Sequence, residues 1–366
     1  MLMTTRSITI LGAGPTGLSA ALALDARGHT VRILERNDAN TTESRAVAVN
    51  RRSLLHLATV GACEEILATA EILRHVKFFT NGKLLADLDI PQPASGPPSA
   101  VALPQSVTEK ILAARLQERG VEIEWETEAL EVSQTPGEAT VRATRPSGEI
   151  IITSDFVLGA DGSRSITRKS LGVGFHGHRY EGDWSLFDAE LDWPWPGVQL
   201  VAHLNDPSGI FLMVTLGDGR HRIIGNSLDL EARASKVIPV GKISWRNEFT
   251  LSERCVDSFG AGRIWLAGDA AHIHSPVGGM GMNLGIDDAF DFAETIRTGD
   301  FAAYDRRRLN AADAVMKRAD RGLRLMTSRN PVVRLIRNAA IRIVSASPFI
   351  RRRLARAVFA SDAQRP

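Results

Sequence analysis

Ser7-Ile8-Thr9-Ile10-Leu11-Gly12-Ala13-Gly14-Pro15-Thr16-Gly17 decides how this chain folds. Ser7 to Leu11 reads as a short buried strand, and the three glycines follow it in the spacing of a dinucleotide fingerprint. Thr16 to Arg27 is a helix of small residues, closed by Gly28 at the expected C-cap position. Thr30 to Leu34 is the next strand, ending at Glu35. The whole is one βαβ unit. Gly12 permits the tight turn, Gly14 lets a diphosphate approach the backbone, and Gly17 lets helix and strand pack closely. Amides at the helix start favour the diphosphate, and Pro15 and Thr16, which stand at that start, are counted in the same site. Glu35 can accept hydrogen bonds from ribose hydroxyls. Its charge repels a ribose 2′-phosphate, which favours FAD or NAD over NADP here. The competing reading is a glycine-rich turn with no ligand.

Two further motifs follow in order. Phe156 to Ala160 reads as a buried strand leading into Gly159-Ala160-Asp161-Gly162. Arg263 to Ala267 is another buried strand. It leads into Gly268-Asp269-Ala270-Ala271-His272, then Pro276-Val277-Gly278-Gly279-Met280-Gly281-Met282-Asn283. A carboxylate at such a strand end, Asp269, can bind the ribityl hydroxyls of a flavin. The loop and the helix starting near Gly281 aim backbone amides at one spot, where they would stabilise negative charge on the pyrimidine edge of reduced flavin. A plain helix start with an Asp cap is the alternative. The order of the three motifs points to a protein built around FAD.

The rest of the chain sets the frame. Its 366 residues exceed one ordinary hydrophobic core. The 44% hydrophobic and 23% charged composition, with a net charge of +2, is that of a globular protein with no global signal for nucleic acid. Cys63 and Cys255 lie far apart, giving neither a disulfide framework nor a metal-ligand cluster. The N-terminal residues lack the pattern of a secretory signal and no run of 18 apolar residues occurs, so a cytoplasmic location is expected.

The expected fold class is α/β: a Rossmann-like FAD-binding domain with a parallel sheet, an inserted mostly β substrate domain, and C-terminal helices. The boundaries read as 1–171 for the FAD-binding domain, with a β excursion near 72–103 broken by the Asn81-Gly82 turn. Residues 172–254 form the β-rich domain, 255–299 return to the FAD-binding domain, and 300–366 are helical. From Asp300 onward 16 Lys/Arg face 5 Asp/Glu. Arginine-rich helices lying over the core explain this, and a peripheral membrane surface or acidic partner is the other reading. Val332, Leu335, Ile336, Ala339, Ala340 and Ile343 share one helical face, expected to cover the protein's own sheet before a partner's. A monomer or homodimer is expected.

Taken together, the pattern resembles the flavin-dependent aromatic hydroxylases, the single-component class A monooxygenases typified by para-hydroxybenzoate hydroxylase. The resemblance runs from Gly12 to Gly17 through Glu35, Arg45-Ala46, Gln105 before the helix containing Glu109, and Gly159 to Gly162, to Gly268 to Asn283. It implies that Arg45 and Gln105 lie against the flavin's phosphate and ribityl parts. It also implies that Asp161 holds its segment through an arginine, and that Arg36 and Leu130 contribute to the cofactor site. NAD(P)H, NADPH before NADH, would reduce the FAD. Dioxygen would then add to form a hydroperoxyflavin, and one oxygen would pass to an aromatic or heteroaromatic ring. Arg36, Arg45, Arg51 and Arg52 could meet the extra phosphate of NADPH or could be solvated helix-start charges. Pro276 would place its carbonyl near the site of oxygen transfer, or simply shape its loop. From a length of 366 residues, the thioredoxin-like third domain of the longer phenol hydroxylases is expected to be absent.

Phenol hydroxylation needs a base or relay to draw off the phenolic proton. Only Tyr180 and Tyr304 are present, so a tyrosine pair in the pocket is not expected. The replacement candidates are His203, Arg222, His178 and Arg179, with Phe211 and Met213 as pocket wall, each with a structural alternative. His272 reads as a packing or hydrogen-bonding residue. Two other functions stay open: a flavoprotein of this fold doing epoxidation, N-oxygenation or reduction, and a non-catalytic flavin-binding regulator.

Overall fold

A computed structural model describes residues 4–40, 46–206, 209–275, 278–347 and 349–350. The helices in chain order are α1 (Pro15–Asp25), α2 (Arg51–Ala58), α3 (Cys63–Thr69), α4 (Gln105–Glu118), α5 (Ile166–Leu171), α6 (Leu230–Ser235), α7 (Gly281–Thr298), α8 (Phe301–Thr327) and α9 (Pro331–Ala346).

The first strand, Ser7–Leu11, lies inside a six-stranded sheet. Thr30–Leu34 and then Ile123–Glu124 lie on one side, Phe156–Gly159 and Ile264–Leu266 on the other, all parallel. Only the short edge strand Gly260–Ala261 runs antiparallel. Parallel strands buried on both faces run largely apolar, as Val157-Leu158 and Ile264 to Leu266 do, whereas in the first strand Ser7 and buried Thr9 alternate with Ile8 and Ile10. One face is covered by a three-stranded antiparallel sheet, through Val132, Val141 and Ile152. The other is covered by α1, α4, α7 and α8. α1 begins with Pro15, whose fixed φ suits a first helical position, and Gly17 to Leu24 are all buried. It is apolar all round because it is wedged between the sheet, α4 and α7.

The second sheet has eight strands in the order His272–Ile273, Val240–Val256, Phe175–Leu191, Arg220–Gly225, Gly209–Gly217, Leu200–Asp206, His75–Thr80, Lys83–Asp89. The early β excursion therefore joins this sheet: His75–Thr80 runs parallel to Leu200–Asp206. Its turn is the Asn81-Gly82 pair, both residues at positive φ, as a tight hairpin requires. A small sheet of Ala48–Asn50, Ala100–Ala102 and Glu71–Ile72 joins the two halves.

Side chains alternate across the eight-stranded sheet, and cross-strand partners fix each face. Leu200, Val214, Arg222 and Asp188 are successive partners on one face. Val214 and Leu200 pack with Ala100 and Ala102, so this face looks toward the FAD-binding half. The opposite face carries Phe79, His203, Phe211, Met213 and Ile223 and is covered by Leu230 and Ala234 of α6 with Trp193 and Trp195.

α8 and α9 close the far end of the inward face, where Leu323 and Ile341 meet Trp184, Leu204 and Leu251. One expectation fails here. The apolar row of α9 does not cover the protein's own sheet: Val332, Leu335, Ile336 and Ile343 all face solvent. Arg337 points inward instead, donating to the Met326 carbonyl at 2.9 Å and to that of Leu325, at the C-terminal end of α8. Unpaired carbonyls at a helix end attract a guanidinium more strongly than they attract an isoleucine.

Candidate functional site

The parallel register brings every motif to one edge. Leu11 is level with Leu34 and Gly159, and Gly159 with Leu266. Gly12 N donates to Leu34 O at 2.8 Å, Ala160 N to Leu11 O at 2.9 Å, and Ala267 N to Gly159 O at 3.0 Å. The fingerprint, Glu35, the Gly-Ala-Asp-Gly segment and the Asp269 turn thus all leave the carboxyl ends of neighbouring strands, where open α/β sheets hold ligands.

Gly12 has φ +102°, and a side chain there would run into the Ala160 carbonyl. A Cβ on Gly17 would meet the Gly12 carbonyl, whereas one on Gly14 would meet nothing within 4 Å. The loop is closed behind and open in front. Thr16 locks it to the third motif, because Gly268 and Gly285 both press against its side chain. Glu35 accepts from Ala13 N at 2.8 Å and from Asn37 Nδ2 at 2.7 Å, so this acid also shapes the loop. Arg36 beside it is exposed. The arginines proposed for an extra phosphate divide differently: Arg51 donates to the Ser95 and Pro97 carbonyls, and Arg52 to Asp287 at 2.7 Å. Leu130 sits half-buried at a bulge in the three-stranded sheet, on the strand that starts beside Glu35.

Three long helices aim their starts at this edge. Among the described helices of eight residues or more, α2, α8 and α9 have side-chain N-caps, whereas α1, α4 and α7 have none. A helix start without a cap leaves amide donors for another acceptor. Gly281 and Met282 lie in that first turn of α7, with Asp269 exposed on the turn Gly268–Ala270. Open space at Gly14, bare helix starts and exposed acids fit an FAD: amides for the diphosphate and the pyrimidine edge, carboxylates for the hydroxyls.

Other expected contacts have a different role. Asn283 uses its side chain entirely on protein: Asn50 N and Ser53 Oγ donate to it at 2.8 Å, and it donates to Ala48 O and Gly279 O. It holds α7 against α2, and only its backbone can serve a cofactor. Asp161 holds its segment through the Ile166 and Thr167 amides of α5, not through an arginine. Arg168 instead ties the second motif to the third by donating to Ser163 O and Ala270 O. Gln105 exchanges two hydrogen bonds with Ala46 and donates to Glu109 at 2.9 Å. Burial pushes the Glu109 carboxyl up to about 7, opposed by the Gln105 bond and helped by Glu35. Arg45 and Pro276 lie outside the described residues.

A buried charge cluster lies behind the third motif, legible beforehand only as the unusual pair Asp287-Asp288 in an apolar helix. Asp288 accepts from Gly268 N at 2.8 Å, His272 Nε2 at 2.6 Å and Arg308 Nε at 2.6 Å. Asp287 accepts from Arg52, His56 and Arg308. These partners, Arg308 above all for Asp288, hold both carboxyls below the usual carboxylate range despite their burial. His272 is thus a hydrogen-bonding residue of the scaffold. His274 is different. Its Nδ1 lies 2.9 Å from Ser275 O, while its buried Nε2 has no partner and lies near Gly281 at the start of α7. Burial lowers its pKa to about 4, so the ring is neutral at physiological pH.

The catalytic candidates of the second sheet are corrected. His203 lies on the face turned away from the FAD-binding half, stacked between Phe79 (5.0 Å) and Phe211 (4.5 Å). Phe211 and Met213 share that face and cannot line a pocket over the flavin. Arg222 is on the inward face, but its fork is bidentate to Asp188 at 2.7 and 2.8 Å, and it also donates to Ala46 O. Its role is to position, through both bonds. His178 and Arg179 lie on the exposed part of the strand Phe175–Leu191. Tyr180 donates to Glu253 and Asp320, and buried Tyr304 to Leu266 O, so neither is a phenol relay. The inward face presents Leu212, Ile224, Leu186, Trp245 and Asn247 instead, by their pairing with Arg222, Asp188 and each other. Ala46 receives Arg222, Ala48 receives Asn283, and so two residues of chain join this face to the start of α7.

The comparisons agree with this geometry. A family model described as an FAD binding domain matches residues 5–236 and 226–319. The 6-methylpretetramide 4-monooxygenase of Streptomyces rimosus is 31% identical over 313 residues, 78% of this chain and 54% of its own length. The chain thus spans about half the length of that curated relative. The OxyS anhydrotetracycline hydroxylase from Streptomyces rimosus superposes with a TM-score of 0.81 at 27% identity, over 99% of this chain and 77% of its own. The p-nitrophenol 4-monooxygenase PnpA from Pseudomonas putida DLL-E4 shares the fold end to end, with a TM-score of 0.88 at 24% identity over 97% of both chains. Its sequence motifs, its strand-end geometry and these matches together establish that this chain belongs to the FAD binding domain family, the one that includes the flavin-dependent aromatic hydroxylases.

Proposed function

We propose that the protein is an FAD- and NAD(P)H-dependent monooxygenase that hydroxylates an aromatic or heteroaromatic small molecule. The observation that carries this reading is the meeting, through Ala46 and Ala48, of the bare start of α7 with the inward face of the eight-stranded sheet. Names of relatives such as the para-nitrophenol 4-monooxygenase of Pseudomonas sp. (strain WBC-3) support the reaction class.

The residues divide the work. Amides of Gly14, Thr16 and Gly17 at the start of α1 would take the diphosphate, Glu35 a ribose, Asp269 the ribityl chain, and the first-turn amides of α7 the pyrimidine edge. Arg45 and Gln105 would complete the site. Bound FAD supplies the acceptance of hydride from a nicotinamide and the activation of dioxygen. Helix-start amides favour an anionic pyrimidine edge, and His274 beside Gly281, neutral at physiological pH, adds no charge to theirs. Leu212, Ile224 and Trp245 would exclude water and stack or pack against an aromatic ring. Asn247 is the polar group on that wall able to orient a ring substituent.

The test is flavin retention and NAD(P)H oxidation in air with a panel of phenols and quinols, with products weighed by mass spectrometry. A gain of one oxygen atom is expected. A gain of two hydrogens would assign the protein to reductive chemistry, and flavin binding with no turnover to a regulatory role.

A further inference from the structure

The apolar row of α9 is the largest feature that the cofactor site leaves unused. Val332 (61% exposed), Leu335 (71%), Ile336 (62%) and Ile343 (57%) fall at helical spacing with Ala339 and Ala340 between them. Phe349 and Ile350, beyond the end of α9, are exposed as well. The opposite side of α9 is firmly attached. Arg337 holds Leu325 O and Met326 O, Arg334 donates to Ser328 O at 3.0 Å, Ile341 packs near Leu323, and Ser345 reaches Asp87 O. The apolar side therefore faces outward because the inner side is fixed, not because the helix is loosely docked. A contiguous exposed apolar patch of this kind marks an interaction surface.

Charge selects the occupant. From Arg321 to Ala360 the sequence holds ten arginines and no aspartate or glutamate. Among the described residues, exposed Arg342 lies within the apolar row itself and exposed Arg329 just before α9. A symmetric contact between two copies would set this cationic segment against itself, which is unfavourable. A surface that is both apolar and anionic satisfies the row and its flanks together, as for amphipathic helices lying in a lipid interface. We infer that the outward face of α9 docks the protein, without spanning, on a membrane containing acidic phospholipid. No described helix is long and apolar enough to cross one.

The test uses the full-length protein, co-sedimented with vesicles of phosphatidylcholine alone and of phosphatidylcholine mixed with phosphatidylglycerol. More than about tenfold preference for the mixed vesicles is expected, weakened by salt because arginines contribute to it. The double variant Leu335→Ser, Ile336→Ser should lose that binding with its melting temperature and flavin content unchanged, since both side chains are already in water. Arg342→Glu should weaken it by a smaller factor. Equal recovery with both vesicle types would overturn the inference, and so would a double variant that binds as the parent does. A dimer in sedimentation equilibrium that the double variant converts to a monomer would assign the row to a second copy and likewise overturn it.

Discussion

The edge of the parallel sheet and the inward face of the eight-stranded sheet make opposite use of the chain. The edge is built from backbone: amides of three helix starts, carbonyls that lock neighbouring strand ends, and glycines where a side chain would collide. Its charged side chains either face solvent, as Asp269 does, or brace the amides, as Glu35 and Asp288 do. The inward face is built from side chains on a regular ladder, with one buried ion pair, Arg222–Asp188, as its polar anchor. A site made of backbone tolerates little change and takes the same cofactor whatever surrounds it. A site made of side chains can be rewritten without disturbing the fold. The contrast implies that mutations at the edge act on flavin retention and stability, and those on the inward face on substrate binding alone.

The largest effect expected is at the bracing of the edge. Arg308→Met leaves buried Asp288 without its cation and Asp287 with Arg52 as its remaining arginine, and should cost about 3–5 kcal/mol in urea unfolding at neutral pH. Both carboxyls are depressed in the folded state. Their contribution is therefore complete above the unfolded carboxylate value of about 4 and is lost as pH falls through the folded one. The penalty of Arg308→Met should shrink on acidification. Gly12→Val should cost about 3 kcal/mol through collision with Ala160 O and an unfavourable φ, and yield colourless protein. Retention of full flavin by that variant would break the account of the edge.

Glu109 tests the edge from its other side. Its pKa is raised, so its contribution is present below the unfolded glutamate value of about 4.3 and is lost as pH rises through about 7. Glu109→Gln should therefore stabilise the protein by about 2–3 kcal/mol at alkaline pH and by nothing measurable at acidic pH. A flat difference between the two stability-pH curves would show that the carboxyl is not buried as described.

On the inward face, Leu212→Ala should raise the substrate KM about tenfold with flavin content unchanged. Its neighbour on the opposite face, Met213→Leu, should leave KM alone and shift stability by less than about 1.5 kcal/mol. The reverse pattern would mean that the sheet presents its other side to the flavin. Tyr180→Phe is the smallest expected change, a loss of about 1 kcal/mol from its bonds to Glu253 and Asp320, with turnover retained.

The same contrast explains what could be read from residues alone. Gly12, Gly14 and Gly17 answer local backbone demands, so their spacing announces the turn, the approach and the helix packing. Glu35 and Asp269 follow strands and glycines at fixed distances, and are legible for the same reason. Strand positions in the second sheet were legible as alternation, but alternation has two phases. Nothing local distinguishes Phe211 and Met213 from Leu212 as the inward set, and a one-residue step moves every side chain to the other face. His203 falls under the same ambiguity. Arg222 stands out in the sequence, yet its partner Asp188 lies on another strand, and nothing local pairs them. The Asp288–Arg308–His272 cluster joins α7, α8 and the third motif, and only the tertiary fold assembles it. On α9 the apolar spacing is legible, but its direction depends on Arg337 finding the end of α8.

The central claim is that the backbone edge holds an FAD whose oxygen chemistry is delivered to an aromatic ring on the inward face. It is tested most directly by turnover with NAD(P)H under isotopically heavy dioxygen, with the product of an accepted phenol analysed by mass. One heavy oxygen atom in the product is the predicted result. A product without label, or a purified protein that stays colourless when FAD is added, would contradict it.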